Sequence, residues 1–232
     1  MSEIHQRSPT GRDYRGLAIH AAPGVHEHAF QICTRLHAGG ARVLDVGAGS
    51  GAFSKRLEDA GFQVVSTDLE PAHDWMKKLD LARFDPDEFG GPIYDLVTCV
   101  ETLEHLENPR GALKSLRSLL RPGGHIVIST PNVTHPHSRL MFLWNSTFFT
   151  FSREAYYSTG HVSLLPDWLL VEHLRQSGYE VSTVEYAGLA QLGSMKRLVY
   201  RLGMGLFRLF GIKQPLTSGE GLCLFVTAAN LG

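Results

Sequence analysis

The chain has 232 residues, 43% of them hydrophobic and 19% charged, with a formal net charge of -1. That length supports one α/β domain over residues 1–232 without a second core. The near-neutral balance excludes the basic footprint of a general nucleic-acid binder, so no nucleic-acid partner is expected. Cys33, Cys99 and Cys223 lie far apart and read as buried free thiols in a reducing compartment. The N-terminus is polar and has no signal-peptide pattern, and no apolar run would span a bilayer. A cytoplasmic protein is the expectation.

Taken in chain order, residues 1–40 read as a helical cap. Its helix runs from Gly24 to His37 and carries Val25, Phe30, Cys33 and Leu36 as the buried stripe. A strand follows at 42–46, and then Gly47, Gly49 and Gly51 allow a tight turn with bare peptide toward a ligand. Phe53, Leu57 and Ala60 recur at helical spacing, so the turn feeds a helix N-terminus. The strand at 63–67 ends at Asp68, whose carboxylate suits the two hydroxyls of a ribose. A nucleoside-containing cofactor is therefore expected.

Two cofactor classes fit this turn. Gly47 to Ala52 satisfies the loose dinucleotide pattern G-x-G-x-x-A, which keeps a nicotinamide-dependent oxidoreductase open. Asp45, two residues before the first glycine, would repel a pyrophosphate and favour a donor carrying an ammonium and a sulfonium. S-adenosylmethionine is such a donor.

Further along, residues 75–89 lack a clean strand signature, and a strand is expected at 94–100. Asn108-Pro109 starts a helix whose buried face is Leu113, Leu116 and Leu120, and Pro122-Gly123-Gly124 is expected to stop it. A strand at 125–130 precedes an aromatic insertion, 133–165, which reads as a lid. A helix at 166–176 and strands at 180–186 and 221–228 complete the pattern. Such alternation implies a doubly wound α/β sheet with its ligand at the C-terminal strand ends. Residues 187–218 form a second insertion, basic and amphipathic on a helix. Its stretch 192–212 is open to three readings: packing on the domain, homodimer formation or peripheral contact with an anionic membrane.

Glu101, Glu104, His105 and His161 carry the expected chemistry. A hydroxyl is a poor nucleophile until it is deprotonated or metal-bound. Glu101 closes the strand at 94–100, and Glu104 and His105 follow within a short turn. Two carboxylates and two imidazoles make a ligand set suited to a divalent ion with open positions. The metal-free alternative leaves Glu104 as a helix cap and His105 as a base or cofactor contact.

The runs VLDVGAGSG (43–51), YDLVTCVETLEHLENP (94–109) and LLRPGGHIVISTPN (119–132), together with Asp68, resemble the class I S-adenosylmethionine-dependent methyltransferases. The resemblance is to the branch with the ubiquinone-biosynthesis O-methyltransferases; the lid also resembles bacterial surface-glycan methyltransferases. It implies a Rossmann-like, seven-stranded, mostly parallel sheet whose last strand is antiparallel. It also implies cofactor contacts at Asp45, Gly47, Ala48, Gly49, Gly51, Asp68, Leu69, Asp80, Leu81 and Val100, with Asp80 at the adenine. Catalytic residues would be His105, Glu101 and His161. By the same resemblance Glu101, Glu104, His105 and His161 would hold Mg2+ or another divalent cation. The implied reaction is O-methylation of a small-molecule, saccharide or lipid-linked glycan acceptor, with a quinone-precursor phenol as the alternative.

Overall fold

Residues 12–89, 91–188 and 221–232 are described in the computed structural model. The predicted basic insertion falls almost wholly within 189–220, so the readings of 192–212 lie outside the described residues. A short hairpin, β1 (Asp13–Tyr14) and β2 (Leu17–Ala18), leads into α1 (Val25–Leu36). Then come β3 (Arg42–Val46), α2 (Ala52–Asp59), β4 (Gln63–Asp68), β5 (Lys77–Lys78) and β6 (Tyr94–Val100). α3 (Pro109–Arg117), β7 (Leu120–Pro131), α4 (Pro136–Asn145), α5 (Arg153–Ser158), α6 (Asp167–Gln176), β8 (Tyr179–Ala187) and β9 (Cys223–Asn230) follow.

Seven strands form one sheet in the order β5-β4-β3-β6-β7-β9-β8. β9 is antiparallel to both of its neighbours, and the pairs from β5 to β7 are parallel. This is the Rossmann-like arrangement with an antiparallel last strand. Residues 75–89, which show no strand pattern, supply the edge strand β5 through two residues paired with Thr67 and Asp68. A pairing that short leaves no periodicity to read.

β3 and β6 are buried on both faces because helices cover the sheet on each side. Leu44, Val46, Val97 and Cys99 point toward Leu113 and Leu116 of α3 and Leu170 and Leu174 of α6. Val43, Leu96 and Val127 point the other way, into Val25, Ala29 and Ile32 of α1 and Phe53 and Leu57 of α2. Truncating one of these leucines to alanine typically costs about 2–5 kcal/mol.

Two sequence expectations change here. On α1 the buried stripe is Val25, His26, Ala29, Ile32 and Cys33, whereas Phe30 and Leu36 are only partly covered. α3 ends at Arg117, and Leu120 opens β7 rather than closing the helix face. Pro122-Gly123-Gly124 lies inside β7, where the register passes from Tyr94 opposite Leu120 to Leu96 opposite His125. Gly123 takes φ +76 there, so the triplet bulges a strand instead of stopping a helix.

The N-terminal hairpin is fastened to α2 and its entry loop. The Ser50 hydroxyl donates to the Ala18 carbonyl at 2.6 Å, and the Tyr14 hydroxyl donates to Asp59 at 2.7 Å. Arg56 pairs with Glu27 of α1. The 133–165 insertion contains α4 and α5 with a tight turn between them. Among the described residues no helix is long and apolar enough to cross a membrane.

Candidate active site

β3 sits between β4 and β6, so the chain leaves the sheet in opposite directions at its C-terminal edge and opens a crevice. A cavity of about 790 Å³ occupies this crevice. Gly47, Ala48, Gly49, Asp68, Leu69, Asp80, Leu81 and Val100 line it, as do Glu101, Glu104, His105 and His161. Asp45 and Gly51 do not.

Gly47 has φ +66, and a Cβ there would lie 2.4 Å from the Thr102 methyl. The Thr102 hydroxyl is itself near the Val46 and Val100 carbonyls, at 3.3 and 3.1 Å. The first glycine is therefore required by the turn after β6. Gly51 has φ +81, and a Cβ would strike the Trp75 ring at 2.2 Å. The third glycine makes room for an indole, not for a ligand. At Gly49 a Cβ would meet only His20, at 3.8 Å, so bare peptide faces the cavity there, as a bound cofactor requires. The Asp68 carboxylate accepts from the Gly49 N–H at 2.8 Å and the Glu70 N–H at 3.0 Å, which holds it at the cavity wall. Asp80 accepts from the Ala82 N–H at 2.9 Å.

Asp45 has a different role from the one expected. Its side chain shares the sheet face of Val43 and accepts from Ser54 at 2.5 Å and from Thr98 at 2.7 Å. Burial pushes its carboxyl up to about 6, against the two hydroxyls that favour the ionised form. It is a buried bracket between β3, α2 and β6, so the charge argument against a pyrophosphate does not rest on it. A folded-state pKa above the unfolded value gives stability that is complete below about pH 4 and lost as pH rises through about 6. Asp45→Asn should therefore gain relative to the parent between pH 4 and 7, by on the order of 2 kcal/mol. Paired thermal melts across that range measure the difference.

Glu101 follows β6 with φ +51, and its N–H donates to the Ser129 carbonyl at 3.0 Å. The Ser129 hydroxyl donates to one carboxylate oxygen at 2.8 Å, and the Cys223 thiol faces the other at 3.5 Å. Both oxygens are thus occupied, and Glu101 falls outside the ligand cluster in which it was expected. That cluster is Glu104, His105 and His161, each offering one ligand atom within 4.8 Å of the others. Glu104 is fully buried; its Oε2 accepts from Thr130 at 3.1 Å, and its Oε1 has no partner among the described residues. Burial first, and the neighbouring Glu101 second, push its pKa well up. The Glu104 carbonyl accepts from Val162 and Ser163, both at 2.9 Å, which clasps the His161 loop to this turn. Burial lowers the pKa of His105 and of His161, and His105 lowers that of His161 further. An orphaned carboxylate oxygen beside two imidazoles is a donor set that fits a divalent cation.

Several wall residues carried no sequence signal. His20 lines the cavity, as do Thr102, Thr150 and Cys223. His26, two positions from His28, also reaches it, and burial pushes its imidazole down to about 4. Helical spacing separates the two histidines, and His28 instead faces Glu185 at 3.1 Å.

A family model described as a methyltransferase domain matches residues 21–184. A ubiquinone biosynthesis O-methyltransferase of Marinobacter nauticus is 31% identical over 200 residues, covering 74% of this chain and 76% of that protein. One of Xanthomonas euvesicatoria pv. vesicatoria is 38% identical over 120 residues, 44% of this chain and 48% of that protein. The chain thus spans about half the length of the Xanthomonas relatives it matches. Among solved structures, a SAM-dependent methyltransferase from Archaeoglobus fulgidus superposes with TM-score 0.60 at 19% identity, covering 89% of this chain and 93% of that one. A Burkholderia thailandensis 1,6-didemethyltoxoflavin-N1-methyltransferase, solved with S-adenosylhomocysteine, gives 0.57 at 17%, covering 90% and 79%. These two show a shared fold.

Proposed function

The chain belongs to the class I S-adenosylmethionine-dependent methyltransferases, and on that footing we propose that it moves a methyl group from S-adenosylmethionine to a hydroxyl oxygen. One observation carries the reading: a single cavity is lined both by the glycine turn with Asp68 and by Glu104, His105 and His161. When bound, the donor supplies an electrophilic methyl and the cation supplies Lewis acidity to a hydroxyl. The chain's own residues place the partners. Gly49 and Asp68 would receive the nucleoside, and Glu104, His105 and His161 would hold the divalent cation. Burial keeps both imidazoles neutral near pH 7, so each has a lone pair for a metal or for the acceptor's proton. Fixing the two reactants in one crevice removes much of the entropic barrier to an in-line displacement.

The acceptor we favour is a phenol of the quinone-precursor kind. The relatives named for ubiquinone biosynthesis support it, and Phe149 on the cavity wall offers a flat apolar face to a ring. A saccharide or lipid-linked glycan is the second reading. It draws on Phe142, Leu143 and Trp144, which stand exposed on α4, since sugars stack on such faces.

The test uses methyl-labelled S-adenosylmethionine with 3,4-dihydroxybenzoate as the phenolic probe. Label should reach the catechol oxygen, fall at least tenfold with EDTA and return with Mn2+. Thermal stabilisation by NAD and none by S-adenosylhomocysteine would overturn the donor assignment. Full turnover in EDTA would remove the cation and leave His105 as the base.

A further inference from the structure

The turn between α4 and α5 holds a residue that packing alone does not explain. Thr150 has φ +64, in the left-handed region that β-branched side chains avoid. Of the four non-glycine residues with positive φ among the described residues, only Glu101 and Thr150 line the cavity. Its neighbours fix this geometry: Phe148 and Phe151 exchange backbone hydrogen bonds at 3.2 and 3.0 Å, and the Phe149 N–H donates to the Ser138 hydroxyl at 2.9 Å. The turn therefore determines where the Thr150 carbonyl points.

That carbonyl lies 2.9 Å from His161 Nδ1. A carbonyl only accepts, so Nδ1 carries the proton and Nε2 keeps the lone pair. The Thr150 hydroxyl, by contrast, is buried and makes no hydrogen bond among the described residues.

We propose that Thr150 is a positioning residue: its left-handed backbone aims the carbonyl that holds His161 as the Nδ1–H tautomer, turning Nε2 into a ligand for the cluster with Glu104 and His105. This rests on the cation reading above. It joins the lid turn to the reacting centre, because an outer partner of a ligating histidine sets both its orientation and its basicity.

The experiment compares the parent with Thr150→Pro, Ser138→Ala and Thr150→Gly. Proline fixes φ at about −65° and turns the carbonyl away, and alanine at 138 removes the acceptor of the Phe149 N–H that fastens the turn, whereas glycine removes only the side chain and keeps the left-handed backbone at no steric cost. Mn2+ binding, read from the free-ion paramagnetic resonance signal, should weaken about tenfold in Thr150→Pro, by a smaller factor in Ser138→Ala, and stay within about twofold in Thr150→Gly. Nitrogen-15 spectra of the imidazoles should show the Nδ1–H form of His161 in the parent and glycine variant, and a mixture of tautomers in the other two. Thermal melts check that each variant is folded, and Ser138→Ala carries the test if the proline variant is not. A displaced turn with parental Mn2+ affinity and parental tautomer overturns the proposal, as does a parent whose His161 carries its proton on Nε2. If the parent binds no Mn2+, the cation reading fails by itself. The His161 tautomer then decides Thr150: a shift in the proline or Ser138→Ala variant supports the role, and no shift overturns it.

Discussion

Asp68→Ala should lose about a hundredfold or more in affinity for S-adenosylhomocysteine, measured by titration calorimetry. The two carboxylate oxygens of Asp68 accept from the Gly49 and Glu70 amides, so the side chain shapes the glycine turn as well as facing the ligand. Hydrogen bonds to a charged group contribute about 1.5–3 kcal/mol each, and a hundredfold corresponds to about 2.7 kcal/mol. Asp68→Asn retains one acceptor oxygen and should lose roughly tenfold. Parental affinity in Asp68→Ala would place the nucleoside elsewhere.

The second large effect is expected at Glu104. Glu104→Gln should lower methyl transfer by about two to three orders of magnitude while leaving S-adenosylhomocysteine affinity within about threefold. The reason is spatial: Glu104 belongs to the acid turn after β6, and the proposed nucleoside contacts, Gly49 and Asp68, belong to the turn after β3 and the end of β4. Stability should move the other way. Burial and Glu101 raise the folded-state pKa of Glu104, so its contribution is complete below the usual carboxylate range and declines as pH rises through the raised value. Glutamine keeps the Thr130 contact and removes that decline, so in EDTA at neutral pH the variant should melt no lower than the parent. A variant that loses both activity and stability would point to a structural role.

The half of the cavity formed by the glycine turn is legible in sequence because tight geometry restricts residue choice. Strand alternation, the glycine turn and an acid at the end of the next strand leave local signatures, and Asp68, Gly47, Gly49 and Asp80 all line the cavity. Asp45 and Gly51, expected at the cofactor, lie outside the cavity lining for a physical reason. Proximity in sequence to the turn does not reveal that Asp45 points through the sheet to Ser54 and Thr98, or that Gly51 yields to Trp75. Glu104 and His105 of the acid turn and the distant His161 are all singled out by the sequence, and the fold brings one ligand atom of each within 4.8 Å of the others. The place of Glu101 outside that cluster was not legible, because its engagement by Ser129 and Cys223 joins strands whose adjacency appears only in the folded sheet. Thr150 was invisible, since nothing in a threonine codon marks a left-handed backbone.

The contact between Gly47 and Thr102 has a consequence for how such an enzyme diversifies. A Cβ at Gly47 would lie 2.4 Å from the Thr102 methyl, so a side chain cannot be added to one wall of the crevice without displacing the other. The stretch between β7 and α6 is free of that constraint, and acceptor preference is expected to reside there. A graft of residues 133–165 from a relative should carry specificity with it, and a graft of the acid turn alone should not.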